Sequence, residues 1–409
     1  MSHTLLSISG MSPAVITETL FAIQRDKLQW PDQLLIITTT LGASKLQDIQ
    51  TSIAQLCHDY NCPPIDASKI KIEVITGADG VPVSDARSLA DHEALGDFIM
   101  ARVRDLTGQT DSSVHASIAG GRKTMTFYLG YAMSLFGRAG DQLSHVLVTE
   151  PFERVPDFIY PTPADCLMQG LSGESVNAAH AEITLANIPF IRMREKLPSV
   201  MLSIGEAVSF REIVNLVNIA ESESAARAIF MELPSNRYEI LIADHSAQTL
   251  KSIPLRLLDY AFYRVVVRQS LNPDHPVQRP DDEFPDTDLA VTLCEEMLSL
   301  QGIKPQPDQL LTDLLDELED SQTQIRSTTL DTLRQNNGAN RKFFDTRCNT
   351  IKKELESFLP AKLCDWIVLC NVIDDAGCRI NFYADEKATG TRRGGYGIRL
   401  CSDSVSIPD

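Results

Sequence analysis

The sequence lacks the cysteine spacings of a zinc site or of a disulfide framework. Its nine cysteines include no CxxC pair. The groups at Cys57 and Cys62, and at Cys364, Cys370 and Cys378, have neither zinc-ligand spacing nor histidines arranged around them. We therefore expect reduced thiols in a cytoplasmic protein. Separately, we expect no metal ion and no other cofactor.

The sequence also lacks long apolar runs and an excess of positive charge. No apolar run reaches the length of a membrane span, and the N-terminus has a strand pattern rather than that of a signal peptide, so we expect no membrane partner. The chain has 37 Lys and Arg against 55 Asp and Glu, a formal net charge of −18. A general nucleic-acid-binding surface is thereby disfavoured, because phosphates would be repelled. Any site for a polyanion must be local.

What the sequence does contain is an alternation of strands and helices over residues 1–160. The 409 residues are enough for two or three domains. Apolar strands are predicted at residues 5–9, 34–40, 70–76, 114–118 and 145–149, with helical segments between them. This order predicts an α/β domain with a Rossmann-like parallel sheet.

The most informative segment is residues 117–125 (SIAGGRKTM), which joins a predicted strand to a predicted helix at 125–136. Glycines allow close approach of backbone N–H groups to a ligand, and a helix N-terminus favours negative charge. Arg122 can fork onto a phosphate, and Lys123 adds a second positive charge. The pattern predicts a phosphate site, although a βα turn with a solvated basic pair has the same composition.

A similar loop follows the first strand, at residues 9–13 (SGMSP). Ser12 is expected to cap the next helix, with Pro13 at its first position. Ser9 and Ser12 then lie at the carboxyl edge of a parallel sheet, where ligands bind. Thr40, at the end of the second strand, and Gly42, just beyond it, are expected to face Ser9 and Lys123. Ser12 can equally serve only as a cap.

The C-terminal half has a different pattern. Residues 161–204 are expected to be a connector, and residues 205–409 are expected to form an α+β domain. This domain has an acidic insertion at about 271–330, which contains fourteen Asp and Glu but three Lys and Arg. A basic amphipathic helix at 340–358, two strands at 366–372 and 378–383, and a glycine-rich basic segment resemble a winged helix. Its candidate nucleic-acid contacts are Arg341, Arg347, Lys352, Arg392 and Arg393. Packing or dimerisation would account for the same pattern.

Three separated motifs, at residues 6–13 (LSISGMSP), 37–42 (ITTTLG) and 117–125, resemble those of the CARF domain, the CRISPR-associated Rossmann fold of type III systems. Residues 143–148 and 188–192 also fit. The resemblance covers residues 1–195 and is closest to the CRISPR-associated ring nucleases. It implies a homodimer that binds a cyclic oligoadenylate, usually cyclic tetra-adenylate, across its two-fold axis.

The resemblance also implies the chemistry and the site residues. Some CARF domains cut the ring without a metal, by attack of a 2′-hydroxyl group on the neighbouring phosphate. We expect Lys123, Ser12 and Ser9 to be catalytic. The expected ligand-binding residues are Gly10, Met11, Thr39, Thr40, Gly42, Gly120, Gly121, Arg122 and Thr124.

Three functions remain open at this point. The first is a ring nuclease that switches off the response. The second is a ligand-controlled regulator that binds DNA or RNA through the C-terminal domain, and the third is a ribonuclease with a C-terminal active site. The Arg-x₄₋₆-His motif of HEPN ribonucleases is absent after Arg347, which argues against a HEPN effector.

Overall fold

The structure is a computed structural model. It describes residues 2–77, 79–171, 173–203, 208–222, 227, 229–244, 249–271, 277–281, 283–321, 327–374, 376, 378–391 and 395–408. The chain divides into two compact units. The N-terminal unit comprises Met1–Leu197 and Met201–Phe210, and the C-terminal unit comprises Pro198–Val200 and Arg211–Asp409.

A six-stranded sheet forms the centre of the N-terminal unit. Its strands are β1 (Ser2–Ile8), β2 (Gln33–Thr38), β3 (Ile70–Val74), β4 (Ser112–Ser117), β5 (Gln142–Val148) and β8 (Ile183–Asn187), and a separate hairpin holds β6 (Leu167–Gln169) and β7 (Ser175–Asn177). The order is β3-β2-β1-β4-β5-β8. The first five strands are parallel, and β8 is antiparallel to β5. The predicted Rossmann-like sheet is confirmed.

The helices of this unit are α1 (Ala14–Arg25), α2 (Thr40–Ala43), α3 (Ile49–Asp59), α4 (Leu89–Gly108) and α5 (Lys123–Phe136). Leu5 and Ile36 of the sheet share a core cluster with Ile16 and Leu20 of α1 and Ile53 of α3. The inner strands β1 and β2 are buried almost without interruption, as expected of strands covered on both faces.

Two details of this unit differ from the sequence prediction. The second strand ends at Thr38 rather than Thr40, because the Thr39 side chain caps the short helix α2. The segment expected to be a connector contributes β8, which adds an antiparallel edge to the sheet. Only Ile183 in β8 is fully buried, so the strand has no strong apolar signal.

The C-terminal unit is α+β, as predicted. Its strands β9 (Ile229–Glu232), β10 (Glu239–Asp244), β11 (Thr249–Pro254) and β14 (Val405–Ser406) form a sheet of order β11-β10-β9-β14. A short ladder pairs β12 (Cys370–Asn371) with β13 (Tyr396–Gly397). The helices are α7 (Phe210–Glu221), α8 (Leu257–Leu271), α9 (Thr287–Ser299), α10 (Leu311–Asp320), α11 (Ser327–Asn336), α12 (Arg341–Phe358) and α13 (Ala361–Ile367), while the short α6 (Ser199–Leu202) lies at the division.

The two strands predicted near the C-terminus are wrong in most of their length. Helix α13 takes up Trp366 and Ile367, and β12 has only two residues. In the second segment only Arg379 forms an isolated bridge, with Ile373. Backbone hydrogen bonds from Ile380 to Val372 and from Asp374 to Cys378 hold the segment, and the Arg379 guanidinium adds hydrogen bonds to the carbonyl oxygens of Ser270, Ile398 and Leu400.

Candidate functional site

The candidate site lies where the strand order of the N-terminal sheet reverses. Strand β1 pairs with β2 on one side and with β4 on the other. The loops that follow β1 and β4 therefore border the crevice in which ligands of open α/β sheets bind. Most of the site residues predicted from the sequence belong to these two loops and to the loop after β2.

Glycines allow the three loops to touch. A Cβ atom on Gly10 would lie 3.1 Å from the Cα of Gly121, and one on Gly120 would lie 2.3 Å from the carbonyl oxygen of Ile8. A Cβ atom on Gly42 would lie 3.0 Å from the carbonyl oxygen of Gly10. Gly121 also has a φ of +80°, in the left-handed region that favours glycine. The structure thus brings together the loops that the sequence predicted to meet.

The threonines after β2 fix the position of that loop. The Thr38 hydroxyl donates to the carbonyl oxygen of Ser9 at 2.8 Å. The Thr39 hydroxyl accepts from the backbone N–H of Gly42 at 3.3 Å. The backbone N–H of Thr40 donates to the carbonyl oxygen of Val83 at 3.0 Å, which connects this loop to the segment after β3. Thr38 and Thr39 are buried and Thr40 is exposed, so only Thr40 is open to a ligand.

The basic pair has an unexpected acidic partner. Arg122 precedes α5 and forks onto both carboxylate oxygens of Asp85 through its Nε and Nη2. Arg87 donates from Nε to the same carboxylate at 2.9 Å. The pKa of the Asp85 carboxyl group is lowered by hydrogen bonds from Arg122 and then Arg87. Lys123, the first residue of α5, is exposed. Nothing in the local sequence around Asp85 indicates this pairing with Arg122.

The two serines differ in their surroundings. Ser9 is fully buried, and its hydroxyl oxygen has no hydrogen-bond partner in the described part of the chain. Ser12 is exposed, as is Met11. The expectation that Ser12 caps α1 is wrong: the helix begins after Pro13, and no side chain caps it. The Thr124 hydroxyl oxygen is also buried without a partner among the described residues.

A cavity of about 510 Å³ adjoins the loop after β1. Met11 and Ser12 form part of its wall, and Glu18 of α1 is only 5 % exposed there. Burial, and then the negative charge of Glu153, raise the pKa of Glu18 to about 7. Sequence reasoning missed Glu18, because a carboxylate on a helix ordinarily indicates a solvated face.

Histidines give the site no evident base. His115 is buried, and burial followed by the nearby His3 lowers its pKa to about 4. Its Nε2 lies 2.7 Å from the Ser144 hydroxyl within the sheet. His145 lies in the wall of the cavity that Ser12 also lines, and not at the junction of the glycine loops. No group of His, Cys, Asp or Glu side chains suited to a metal ion occurs among the described residues.

The candidate nucleic-acid contacts of the C-terminal unit are paired with carboxylates. Arg347 donates to Asp259 at 2.8 Å and is largely buried. Arg341 lies 3.5 Å from an Asp281 oxygen, and Lys352 lies 3.6 Å from a Glu356 oxygen. Arg392 and Arg393 lie outside the described residues.

These features define a Rossmann-like protein with a polar, glycine-rich cleft at the switch point of its sheet. A family model described as CRISPR-associated protein NE0113 (Cas_NE0113) matches residues 12–222, and the chain belongs to that family. The recognition of the sequence as a CRISPR-associated Rossmann-fold protein is confirmed.

Comparison with curated proteins gave no match. Among solved structures, the chain is similar to Enterococcus italicus Csm6 bound to cyclic hexa-2′-fluoro-hexa-dAMP. The identity is 12 %, the TM-score is 0.26, and the match covers 87 % of this chain and 65 % of that chain. This protein therefore spans less than two thirds of the length of that Csm6 chain. Across the residues that the structure describes, no helix has both the length and the apolar character needed to cross a membrane.

Proposed function

We propose that the N-terminal unit binds a cyclic oligoadenylate, in the first place cyclic tetra-adenylate, in type III CRISPR signalling, and that it cleaves the ring. The observation that carries this proposal is the meeting of the loops after β1, β2 and β4 at the switch point. A surface of glycine backbone beside the N-terminus of α5 suits a chain of phosphates. Membership of a CRISPR-associated family supports the same assignment.

The proposed binding species is a homodimer. One sheet edge offers contacts to about half of a cyclic ligand, and a two-fold axis would double the exposed Ser12 and Lys123 into a symmetric site. The ring then lies on the axis, with one ligand per two chains.

The proposed reaction is an internal transfer that needs no metal ion. A ribose 2′-oxygen loses its proton and attacks the adjacent phosphorus, and the bond from phosphorus to the 5′-oxygen breaks. The 5′-oxygen takes up a proton, so the opened ring is a linear chain with a 5′-hydroxyl group at one end and a 2′,3′-cyclic phosphate at the other. We assign to Lys123 the stabilisation of the charge that develops on the phosphate, and to the exposed Ser12 a hydrogen bond to phosphate or ribose. Alignment of the attacking 2′-oxygen with the departing 5′-oxygen also contributes to the rate of cleavage.

The test is incubation of the protein with radiolabelled cyclic tetra-adenylate and cyclic hexa-adenylate in EDTA, with the products resolved against linear standards. We expect cleavage that Lys123→Ala reduces about 10²–10³-fold, as for loss of one charge-stabilising donor. Arg122→Ala should mainly weaken binding, because a phosphate contact serves the ground state and the transition state alike. Lys69→Ala, which removes an exposed lysine elsewhere in the unit, is the control.

Two outcomes would change the assignment. If the rings bind but remain intact over hours, the unit is a sensor and not a nuclease. If Lys123→Ala cleaves at the wild-type rate, Lys123 does not have the charge-stabilising role.

A second candidate function is a ligand-controlled regulator that binds DNA or RNA through the C-terminal unit without ring cleavage. The observation in its favour is the group of exposed lysines on α12, namely Lys342, Lys352 and Lys353, which lie beside the exposed carboxylates of Glu354 and Glu356. Binding by the full-length protein should fall steeply with salt, because each phosphate contact releases counterions. Absence of binding at low salt, with and without cyclic tetra-adenylate, would leave the C-terminal unit as a packing or dimerisation module.

A further inference from the structure

The cavity beside Ser12 combines apolar walls with one buried acid. Val15, Val146, Phe152 and Phe158 supply apolar surface, and His145, Glu153 and Arg154 are its other ionisable lining residues. Its volume of about 510 Å³ is within the range of small-molecule sites, about 300–1,000 Å³. Glu18 lies in the same wall, on α1.

Glu18 has no hydrogen-bond or ion-pair partner among the residues that the structure describes. Its side chain is 5 % exposed, yet no hydrogen bond or ion pair of its carboxyl group occurs within the described ranges. Buried carboxyl groups in proteins are ordinarily hydrogen-bonded, because burial without a partner is costly. A carboxyl group that lines a cavity and lacks a partner is therefore suited to a ligand.

The protonation of Glu18 determines what it can bind. Because burial and the neighbouring Glu153 raise its pKa to about 7, a proton remains on the group through much of the neutral range. A protonated carboxyl group presents one donor and one acceptor side by side, as an amide does. Adenine offers the complementary pair, its N6 amino donor beside the N7 or N1 acceptor, and amide side chains read adenine in this way.

We propose that this cavity receives an adenine base of the bound ring and that Glu18 reads the edge of that base. The proposal rests on the proposed function, since the phosphates must first lie along the glycine loops. Ser12 and Met11 belong both to the loop after β1 and to the cavity wall, so a nucleotide whose phosphate lies at the loop has its base next to the cavity. The valine and phenylalanine side chains then cover the faces of the base. Glu18 is a specificity residue and takes no part in the cleavage step.

The test is calorimetric binding of cyclic tetra-adenylate to the full-length protein and to Glu18→Gln and Glu18→Leu, at pH 6.0 and 8.5. Glu18→Gln retains a donor and an acceptor, so its affinity should stay within threefold of wild type at pH 6.0 and should not change with pH. The affinity of Glu18→Leu for the ring should be at least tenfold lower than that of wild type at pH 6.0. The affinity of wild type should fall at pH 8.5, where Glu18 has lost its proton. Glu182→Gln, an exposed carboxylate of the same unit, is the matched control.

The outcomes separate this inference from the proposed function. If wild type binds the ring and Glu18→Leu binds it equally well, the base-reading role is overturned and ring binding stands. If wild type does not bind the ring at either pH, both fail. If Glu18→Leu does not fold, ring binding by Glu18→Gln at the two pH values decides the question. A change in its affinity with pH equal to that of wild type contradicts the role of Glu18.

Discussion

Arg122 and Asp85 form a forked ion pair at the candidate ligand site, although 36 residues separate them along the chain. The Asp85 side chain is 15 % exposed and that of Arg122 is 46 % exposed, so the pair has one sheltered and one open partner. The carboxylate occupies the fork of the arginine that a phosphate would use. Arg122 is thus held in position and partly neutralised.

Replacement of Asp85 should strengthen anion binding. In Asp85→Asn the guanidinium of Arg122 loses its carboxylate competitor, and we expect affinity for cyclic tetra-adenylate to rise about three- to tenfold at low salt, with a steeper dependence on salt. Titration at two salt concentrations measures this. Asp157→Asn, at an exposed position in the same unit, is the control. Weaker binding by Asp85→Asn would mean that Asp85 mainly positions Arg122.

Gly121 should tolerate no side chain. In Gly121→Ala the new Cβ atom would lie 2.4 Å from Cγ2 of Ile8, at a φ of +80°. We expect the free energy of unfolding to fall by about 2–4 kcal/mol, with loss of ring binding. Gly140→Ala is the matched control, since nothing lies within 4 Å of its Cβ position. Denaturant unfolding of both variants measures the difference, and equal stability would contradict the close approach of the loops.

Glu18 should make the stability of the protein fall with rising pH. Its pKa is raised from 4.5 to about 7, so between these values the folded state retains a proton that the unfolded state has lost. Stability is therefore lost as the pH rises through this range, by at most about 3 kcal/mol. Glu18→Gln should lack this decline, as unfolding at pH 5 and pH 8 would reveal.

A comparison with Glu18→Gln isolates this effect from other groups. His115, whose pKa is lowered to about 4, contributes the opposite slope between about 4 and 6.5, and does so in both proteins. Identical pH profiles for wild type and Glu18→Gln would contradict the shifted pKa of Glu18.

Arg347 should matter for folding of the C-terminal unit. Its partner Asp259 is buried, and burial raises the pKa of that carboxyl group even though Arg347 opposes the shift. Arg347→Met leaves a buried carboxylate without its counter-charge, and we expect a loss of about 3–5 kcal/mol. Lys353→Met, at an exposed position on the same helix, should change stability by less than about 0.5 kcal/mol. Thermal melting of both variants tests this, and an unaffected Arg347→Met would place Arg347 among the free surface cations.

The sequence allowed prediction of the sheet and its loops because their signals are local. Strand β2 is a nearly continuous apolar run, and Leu5, Leu6 and Ile8 form the apolar part of β1. The glycines at positions 10 and 121 mark loops in which the backbone comes too close to its neighbours for a side chain. The Arg122–Asp85 pair was missed because it joins distant segments. Glu18 was missed because its burial depends on packing between α1 and β5. Strand β8 was missed because an edge strand needs little apolar surface and so has a weak sequence pattern.

The most direct test of the central claim is a calorimetric titration of the full-length protein with cyclic tetra-adenylate, repeated with Gly121→Ala. We expect one ring bound per two chains and loss of the signal in Gly121→Ala, because the loops after β1 and β4 would no longer meet. No heat of binding from wild type, or undiminished binding by a folded Gly121→Ala variant, would contradict the claim that the switch-point loops form the ligand site.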